Sequence, residues 1–189
     1  MIDKKHHKKL SKFLSLVLRH KPETIGIELD ENGWTDIDGL ISKIKKYGKP
    51  IDTETLELIV KTSDKQRFAI NKDGNKIRAN QGHSVKIELG YKPKCPPEIL
   101  YHGTGNKYVE SILKTGLVKR NRHHVHLSTN METAISVGKR HGKPVVFEVL
   151  AKKMHGDGFE FFLSENGVWL TDMVPVTYLR KYKNHIGQV

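Results

Sequence analysis

Arg122-His123-His124-Val125-His126-Leu127-Ser128-Thr129 reads as a short strand. Successive side chains on a strand point to opposite faces, so His124, His126 and Ser128 share one face while Val125 and Leu127 point the other way. Polar, titratable groups then stand in a row on a half-buried element, with an arginine at its mouth. A strand face that meets a core is apolar, so a polar row is the pattern of a ligand cleft.

Around this stretch the C-terminal half reads as many short strands with few helices. Ile99–Thr104 is a strand running into a glycine-bearing loop, and Tyr108–Lys114 is a short helix closed by Gly116. Asn130 caps a helix that ends around His141-Gly142. Residues 144–150 are a strand, and Phe159–Leu163 and Val168–Leu170 are two more, joined by the turn Ser164-Glu165-Asn166-Gly167. That pattern predicts an α+β domain.

The N-terminal half has a different rhythm. Leu10, Phe13, Leu14, Val17 and Leu18 make one apolar stripe on a helix over 4–20, which Pro22 ends. Gly26–Trp34 is a short extended piece and a turn. Asp36 caps a helix carrying Ile37, Leu40, Ile41 and Ile44, ended by Gly48, and Asp52 or Thr53 caps a third. Arg67–Ile70 and Lys76–Ala79 form a hairpin around Asp73-Gly74. Helix, short strand, helix, helix, hairpin is the order of a winged helix, a nucleic-acid-binding fold more often than not that also serves protein docking. Val85–Leu89 reads as a further strand. Three prolines between Pro93 and Pro97 stiffen the chain, which places a winged-helix lobe at 1–92, a linker at 93–97 and a second lobe at 98–189.

Composition narrows the function classes. The net charge of +12 favours polyanionic partners such as nucleic acid, an acidic membrane surface or nucleotides. Both halves share it: residues 1–90 carry 18 basic against 13 acidic side chains, and residues 91–189 carry 15 against 8. No apolar run is long enough to span a bilayer, and the lysine-rich start has no secretory apolar segment. The single Cys95 excludes an intrachain disulfide and a cysteine-cluster metal site. The expectation is a soluble, cytoplasmic, monomeric protein without a membrane partner.

Phosphate-binding and dinucleotide glycine motifs are missing, as are a serine-nucleophile elbow and HExxH. His124 and His126 have too few carboxylates nearby to build a metal site, so no metal is expected. What remains is a set of donors at element ends: Arg19, His20, Arg67 and Arg122. Arginine presents a planar fork suited to phosphate, so these groups make an anion clamp if they converge.

At this level of detail the chain resembles the NAD-dependent RNA 2′-phosphotransferases, best known for removing the splice-junction 2′-phosphate from ligated tRNA. The resemblance rests on six motifs in order. They are Leu18-Arg19-His20-Lys21-Pro22, Gly33-Trp34, Lys65-Gln66-Arg67-Phe68, Ile77-Arg78-Ala79-Asn80-Gln81-Gly82-His83-Ser84, Tyr101-His102-Gly103-Thr104 and residues 122–128. It implies a winged-helix lobe that holds RNA and an ADP-ribosyltransferase-like lobe that holds NAD as co-substrate. By the same carry-over the catalytic set falls on Arg19, His20, Arg67 and Arg122, with Arg122 rather than Arg120 keeping the family's spacing to Val125-His126-Leu127-Ser128. His102, His126 and Val168 take the three signature positions around the nicotinamide ribose, and Gly103, Thr104 and Ser128 lie around NAD. Gln81 to Ser84 would lie near the interlobe surface. Many relatives have a glutamate at the third position. Its replacement by Val168 fits a phosphate nucleophile, which is already ionised at neutral pH and needs no base.

The implied reaction has two steps. The RNA 2′-phosphate displaces nicotinamide from NAD, giving an ADP-ribosylated phosphate. The ribose 2″-hydroxyl then attacks that phosphate, releasing RNA with a 2′-hydroxyl and ADP-ribose 1″,2″-cyclic phosphate. Two alternatives stand beside it: an ADP-ribosyltransferase that stops after the first step and caps terminal phosphates of nucleic acid, and a non-enzymatic winged-helix regulator that senses NAD.

Overall fold

A computed structural model of the chain describes residues 4–63 and 65–182. The first three residues of the lysine-rich start, and the end of the tail that matched no motif (183–189), lie outside the described residues. The chain divides into two compact units, Met1–Gly90 and Tyr91–Val189, both of mixed helix and strand. No helix among the described residues is long and apolar enough to cross a membrane.

Unit 1 contains α1 (Lys4–Arg19), β1 (Thr35–Asp36), α2 (Ile37–Lys46), α3 (Thr53–Lys61), β2 (Phe68–Ile70) and β3 (Lys76–Ala79). The antiparallel sheet has the order β1-β3-β2. The sequence explains each boundary. Asp36 and Asp52 cap α2 and α3 by accepting from Gly39 N at 2.6 Å and Thr55 N at 2.8 Å. Gly74, at φ +73°, supplies the left-handed residue of the hairpin turn. The apolar stripe of α1 (Leu10, Leu14, Val17, Leu18) packs with Leu40, Ile44, Leu56 and Ile77 into one core.

The extended piece and turn read at 26–34 lead into the sheet: Asp30 Oδ1 accepts from Asn32 N and Trp34 N in the turn, and strand pairing begins at Thr35. One expectation for unit 1 changes. Val85–Leu89 is not a strand. Its backbone is committed elsewhere: Ser84 N and Val85 N bond to Arg19 O, and Glu88 N bonds to Glu31 O. Apolar alternation alone does not reveal that the peptide groups serve as a helix cap.

Unit 2 contains β4 (Leu100–Gly105), α4 (Val109–Thr115), β5 (Leu117–Val118), β6 (Val125–Leu127), α5 (Met131–Gly138) and β7 (Pro144–Val149). It continues with α6 (Ala151–Gly156), β8 (Phe162–Leu163), β9 (Trp169–Thr171), β10 (Met173–Val174) and β11 (Leu179–Lys181). The strands form antiparallel groups β11-β7-β4, β6-β9-β8 and β10-β5. Tyr101 and Ser128 exchange backbone bonds of 2.8 and 2.9 Å, tying β4 to the end of β6. Leu100, Phe147 and Val149 meet Val125, Leu127, Trp169 and Phe161 in the core. Residues 93–97, read as a linker, are bonded into this unit through Lys94 N to Phe161 O at 2.7 Å.

The glycine-bearing segment after His102 is part of β4, not a loop. A Cβ on Gly103 would lie 1.6 Å from Ala134 O, so glycine lets α5 lie directly on the strand. The strand expected at 159–163 shortens to Phe162–Leu163. The helix capped by Asn130 becomes a 3₁₀ turn after Gly138. The short elements β5, α6, β10 and β11 have no sequence reading behind them: two- and three-residue strands show no periodicity of their own.

Candidate active site

Three of the sequence-derived donors come together in unit 1. Pro22 stops α1 just after Arg19, so Arg19 and His20 sit at the helix end. Arg19 Nη2 donates to Arg67 O at 3.2 Å, and its guanidinium lies 5.9 Å from the Phe68 ring centre. Arg67 precedes β2, where its Nη1 donates to Ser63 Oγ at 3.4 Å. The residue before it, Gln66, has φ +39°, a left-handed conformation that side chains other than glycine rarely adopt. His20 is exposed, and its Nδ1 is 3.0 Å from Ser84 Oγ.

A second group gathers in unit 2 around the stretch 122–129. Only Val125–Leu127 is ladder-paired; Arg122 to His124 form the bend that enters it. The alternation holds where it matters. Val125 and Leu127 are buried in the core, while His126 lies opposite Leu170 on the other face. His124 packs on Phe162 with the rings tilted at 57° and centroids 5.6 Å apart, on the face that also carries Leu170, the cross-strand partner of Phe162. It therefore has a packing role. Burial first, then the positive charges of His123 and Lys119, push its pKa below the ordinary histidine value.

Arg122 Nη1 donates to His126 Nδ1 at 3.0 Å, which places the proton of a neutral His126 on Nε2. His102 Nδ1 donates to His126 O at 3.2 Å, which leaves Nε2 of His102 as its acceptor. The surroundings of His102 lower its pKa chiefly by burial, and the positive charges of Arg122 and His141 add to this. A neutral imidazole acceptor thus stands beside a guanidinium.

The remaining signature residues are arranged around this group. Gly103 and Thr104 continue β4 past His102 and are buried under α5. Ser128 Oγ donates to Asn130 O and accepts from Asn130 N, both at 3.0 Å, so its hydroxyl helps build the turn into α5. Val168 closes the β8–β9 turn with Ser164, its N donating to Ser164 Oγ at 3.0 Å. Continued by one residue, the β6–β9 register sets it opposite Ser128.

Sequence reasoning missed Ser84 and Asn80 as members of the unit 1 group, and His141 as a neighbour of His102. The first two lie in a run of polar residues directly after a strand, a signal available in Ile77–Ser84. The third is brought in by tertiary packing alone. Among the described residues, no three His, Cys, Asp or Glu side chains gather to hold a metal ion.

Taken together, the two groups define a protein that presents guanidinium and imidazole donors from two α+β units, a donor set made for phosphorylated ligands. Residues 5–173 match the family described as RNA 2′-phosphotransferase, Tpt1 / KptA. A probable RNA 2′-phosphotransferase of Flavobacterium johnsoniae is 55% identical over 172 residues, covering 91% of this chain and 94% of that protein. One from Nostoc punctiforme is 54% identical over 173 residues, 92% and 96% of the two chains. One from Pseudomonas aeruginosa is 49% identical over 181 residues, 95% and 100%. The chain belongs to the RNA 2′-phosphotransferase family.

Proposed function

We propose that the protein removes an internal 2′-phosphate from RNA, such as ligated tRNA, by transferring it to NAD. In this reading unit 1 is a winged helix that holds the RNA, and unit 2 is an ADP-ribosyltransferase-like domain that holds NAD. The observation that carries it is the gathering of Arg19, His20 and Arg67 in one unit and of Arg122, His126 and His102 in the other. These are the residues that the family resemblance marks.

The residues of unit 2 fit a dinucleotide as co-substrate. His102, with Nδ1 tied to the His126 carbonyl, turns an acceptor nitrogen to a ribose hydroxyl, and the nearby Arg122 carries charge suited to phosphate. NAD supplies a ribose carbon with a cationic leaving group. Guanidinium charge suits the RNA phosphate dianion of step one and the crowded phosphoryl group of step two; Arg19 and Arg67 supply it from unit 1 and Arg122 from unit 2. No carboxylate is required at Val168, because the nucleophile is ionised already. In step one the bond from the ribose carbon to nicotinamide breaks with its electron pair going to nicotinamide, and a phosphate oxygen takes its place. In step two the 2″-hydroxyl oxygen bonds to phosphorus and the RNA 2′-oxygen departs. His20 provides its proton and is reprotonated by the one the hydroxyl gives up.

The test mixes the protein with NAD and an RNA bearing one internal 2′-phosphate. Nicotinamide release with RNA restored to a 2′-hydroxyl and cyclic phosphate as second product is the expected result. Nicotinamide release that stops at a stable ADP-ribosylated phosphate makes the protein a capping ADP-ribosyltransferase instead, and no release makes it a binding protein. His20→Ala is expected to accumulate ADP-ribosylated RNA; conversion at the wild-type rate would remove His20 from step two.

A further inference from the structure

The six residues after β3, Asn80 to Val85, reach all three donors of unit 1 through Asn80, Ser84 and Val85. Asn80 is buried, 3% exposed, and donates Nδ2 to Gln66 O at 2.7 Å and its backbone N to Arg67 O at 2.9 Å. That second carbonyl also accepts Arg19 Nη2. His83 is buried, 1% exposed, its Nε2 3.6 Å from where a Cβ on Gly33 would stand, and so anchors the segment in the fold. Ser84 N and Val85 N then bond to Arg19 O at 2.9 and 3.3 Å, and Ser84 Oγ reaches His20 Nδ1 at 3.0 Å.

We propose that this segment is the frame of the unit 1 cluster and that Ser84 is the positioning residue through which it aims the His20 imidazole. The proposal rests on the phosphotransferase reading above and adds a residue that the reading does not assign. Capping α1 needs only the backbone of Ser84, which already bonds to Arg19 O; the hydroxyl is additional and goes to the ring. An exposed imidazole samples several rotamers, and a bond from a backbone-anchored hydroxyl selects one. A hydroxyl also suits both charge states of the ring: it accepts from Nδ1–H of the imidazolium and donates to Nδ1 of a neutral ring that lacks that proton. With Nδ1 committed to Ser84, the proton that goes to the RNA 2′-oxygen is carried on Nε2.

The experiment compares wild type, Ser84→Ala and Ser84→Thr in the full chain. Under single turnover with NAD and 2′-phosphorylated RNA, Ser84→Ala is expected to keep the step-one rate. Step two should slow by roughly tenfold to a hundredfold, the scale of a misplaced catalytic group, so that ADP-ribosylated RNA accumulates. Ser84→Thr should restore step two. In the NAD-free protein, the ¹⁵N signal of His20 Nδ1 should move in Ser84→Ala and return in Ser84→Thr, with an unchanged thermal unfolding midpoint. Wild-type rates for both steps in Ser84→Ala, or an unmoved Nδ1 signal, overturn the proposal. If wild type itself releases no nicotinamide, the phosphotransferase reading falls instead, and the Nδ1 signal alone decides whether Ser84 orients the ring. Should the alanine variant fail to fold, Ser84→Cys supplies the same comparison with a much weaker hydrogen-bonding group.

Discussion

Arg19 in unit 1 and Arg122 in unit 2 both stand beside a histidine, but they are held by different means. Arg19 donates to a peptide carbonyl, and the residues around it are tied by backbone bonds from Asn80, Ser84 and Val85. Arg122 and His126 hold each other side chain to side chain, and His102 joins them through a single carbonyl. In both units a left-handed non-glycine residue leads into an arginine of the group, though in unit 1 that arginine is Arg67 and not Arg19: Gln66 at φ +39° before Arg67, and Arg120 at φ +50° two places before Arg122. Such strain persists only where the surroundings over-determine it, and it gathers at functional sites. The difference between the two groups is one of coupling. A charge fixed by peptide groups stays in place when a neighbouring side chain changes. In a side-chain network the members also feel each other's charge: beyond burial, the positive charge of Arg122 lowers the His102 pKa.

The largest expected effect concerns the scaffold of unit 2. Gly103→Ala puts a Cβ 1.6 Å from Ala134 O and should cost about 3 kcal/mol or more, read by thermal unfolding. An unchanged midpoint would mean that β4 and α5 are not locked together at this point. Next comes Arg122→Ala, which removes the charge that the proposed reaction directs at phosphate and the Nδ1 partner of His126 together. Its turnover should fall about a hundredfold or more in single-turnover assays. An undiminished rate would shift the assignment to Arg120. In unit 1, Asn80→Ala leaves the Gln66 carbonyl without its side-chain donor and should cost about 1–3 kcal/mol in urea denaturation. Were the loss confined to activity, the frame would be acting on geometry alone.

The smallest effect is a pH dependence, and it belongs to the His102 group of unit 2. His102 has its folded pKa lowered from 6.5, so the unfolded chain takes up a proton first as pH falls. Its contribution to stability is therefore complete above the unfolded value of about 6.5 and is lost as pH falls from there through the folded value. Unfolding measured across this window in wild type and His102→Gln should show a shallower slope in the variant. Identical slopes would place the acid sensitivity elsewhere.

Much of this was legible in the residues. Asp36, Asp52 and Asn130 announced helix starts because their short side chains cap the backbone locally, and Asp73-Gly74 announced its hairpin for an equally local reason. The alternation of Val125, His126 and Leu127 was also readable, since a strand has period two. Val85–Leu89 misled because its apolar spacing mimics a strand while its peptide groups cap α1 and bond to Glu31. His124 carried the alternation pattern but lies outside the paired strand and packs on Phe162.

By itself the sequence determined the capped helices, the hairpin and the longer strands, the basic character of both halves, and the identity of the donors at element ends, because capping, periodicity and charge act within a few residues. Tertiary structure alone decided how those donors are held. The bond of Arg19 to a carbonyl 48 residues away, the reach of Ser84 to His20 across 64 residues, and the place of His141 beside His102 all depend on segments distant in the chain. No local rule specifies which distant carbonyl or hydroxyl will meet a given side chain. Packing of the core fixes that, and in the stretch 122–129 it separated Arg122 and His126, which bond to each other, from His124, which packs on an aromatic ring.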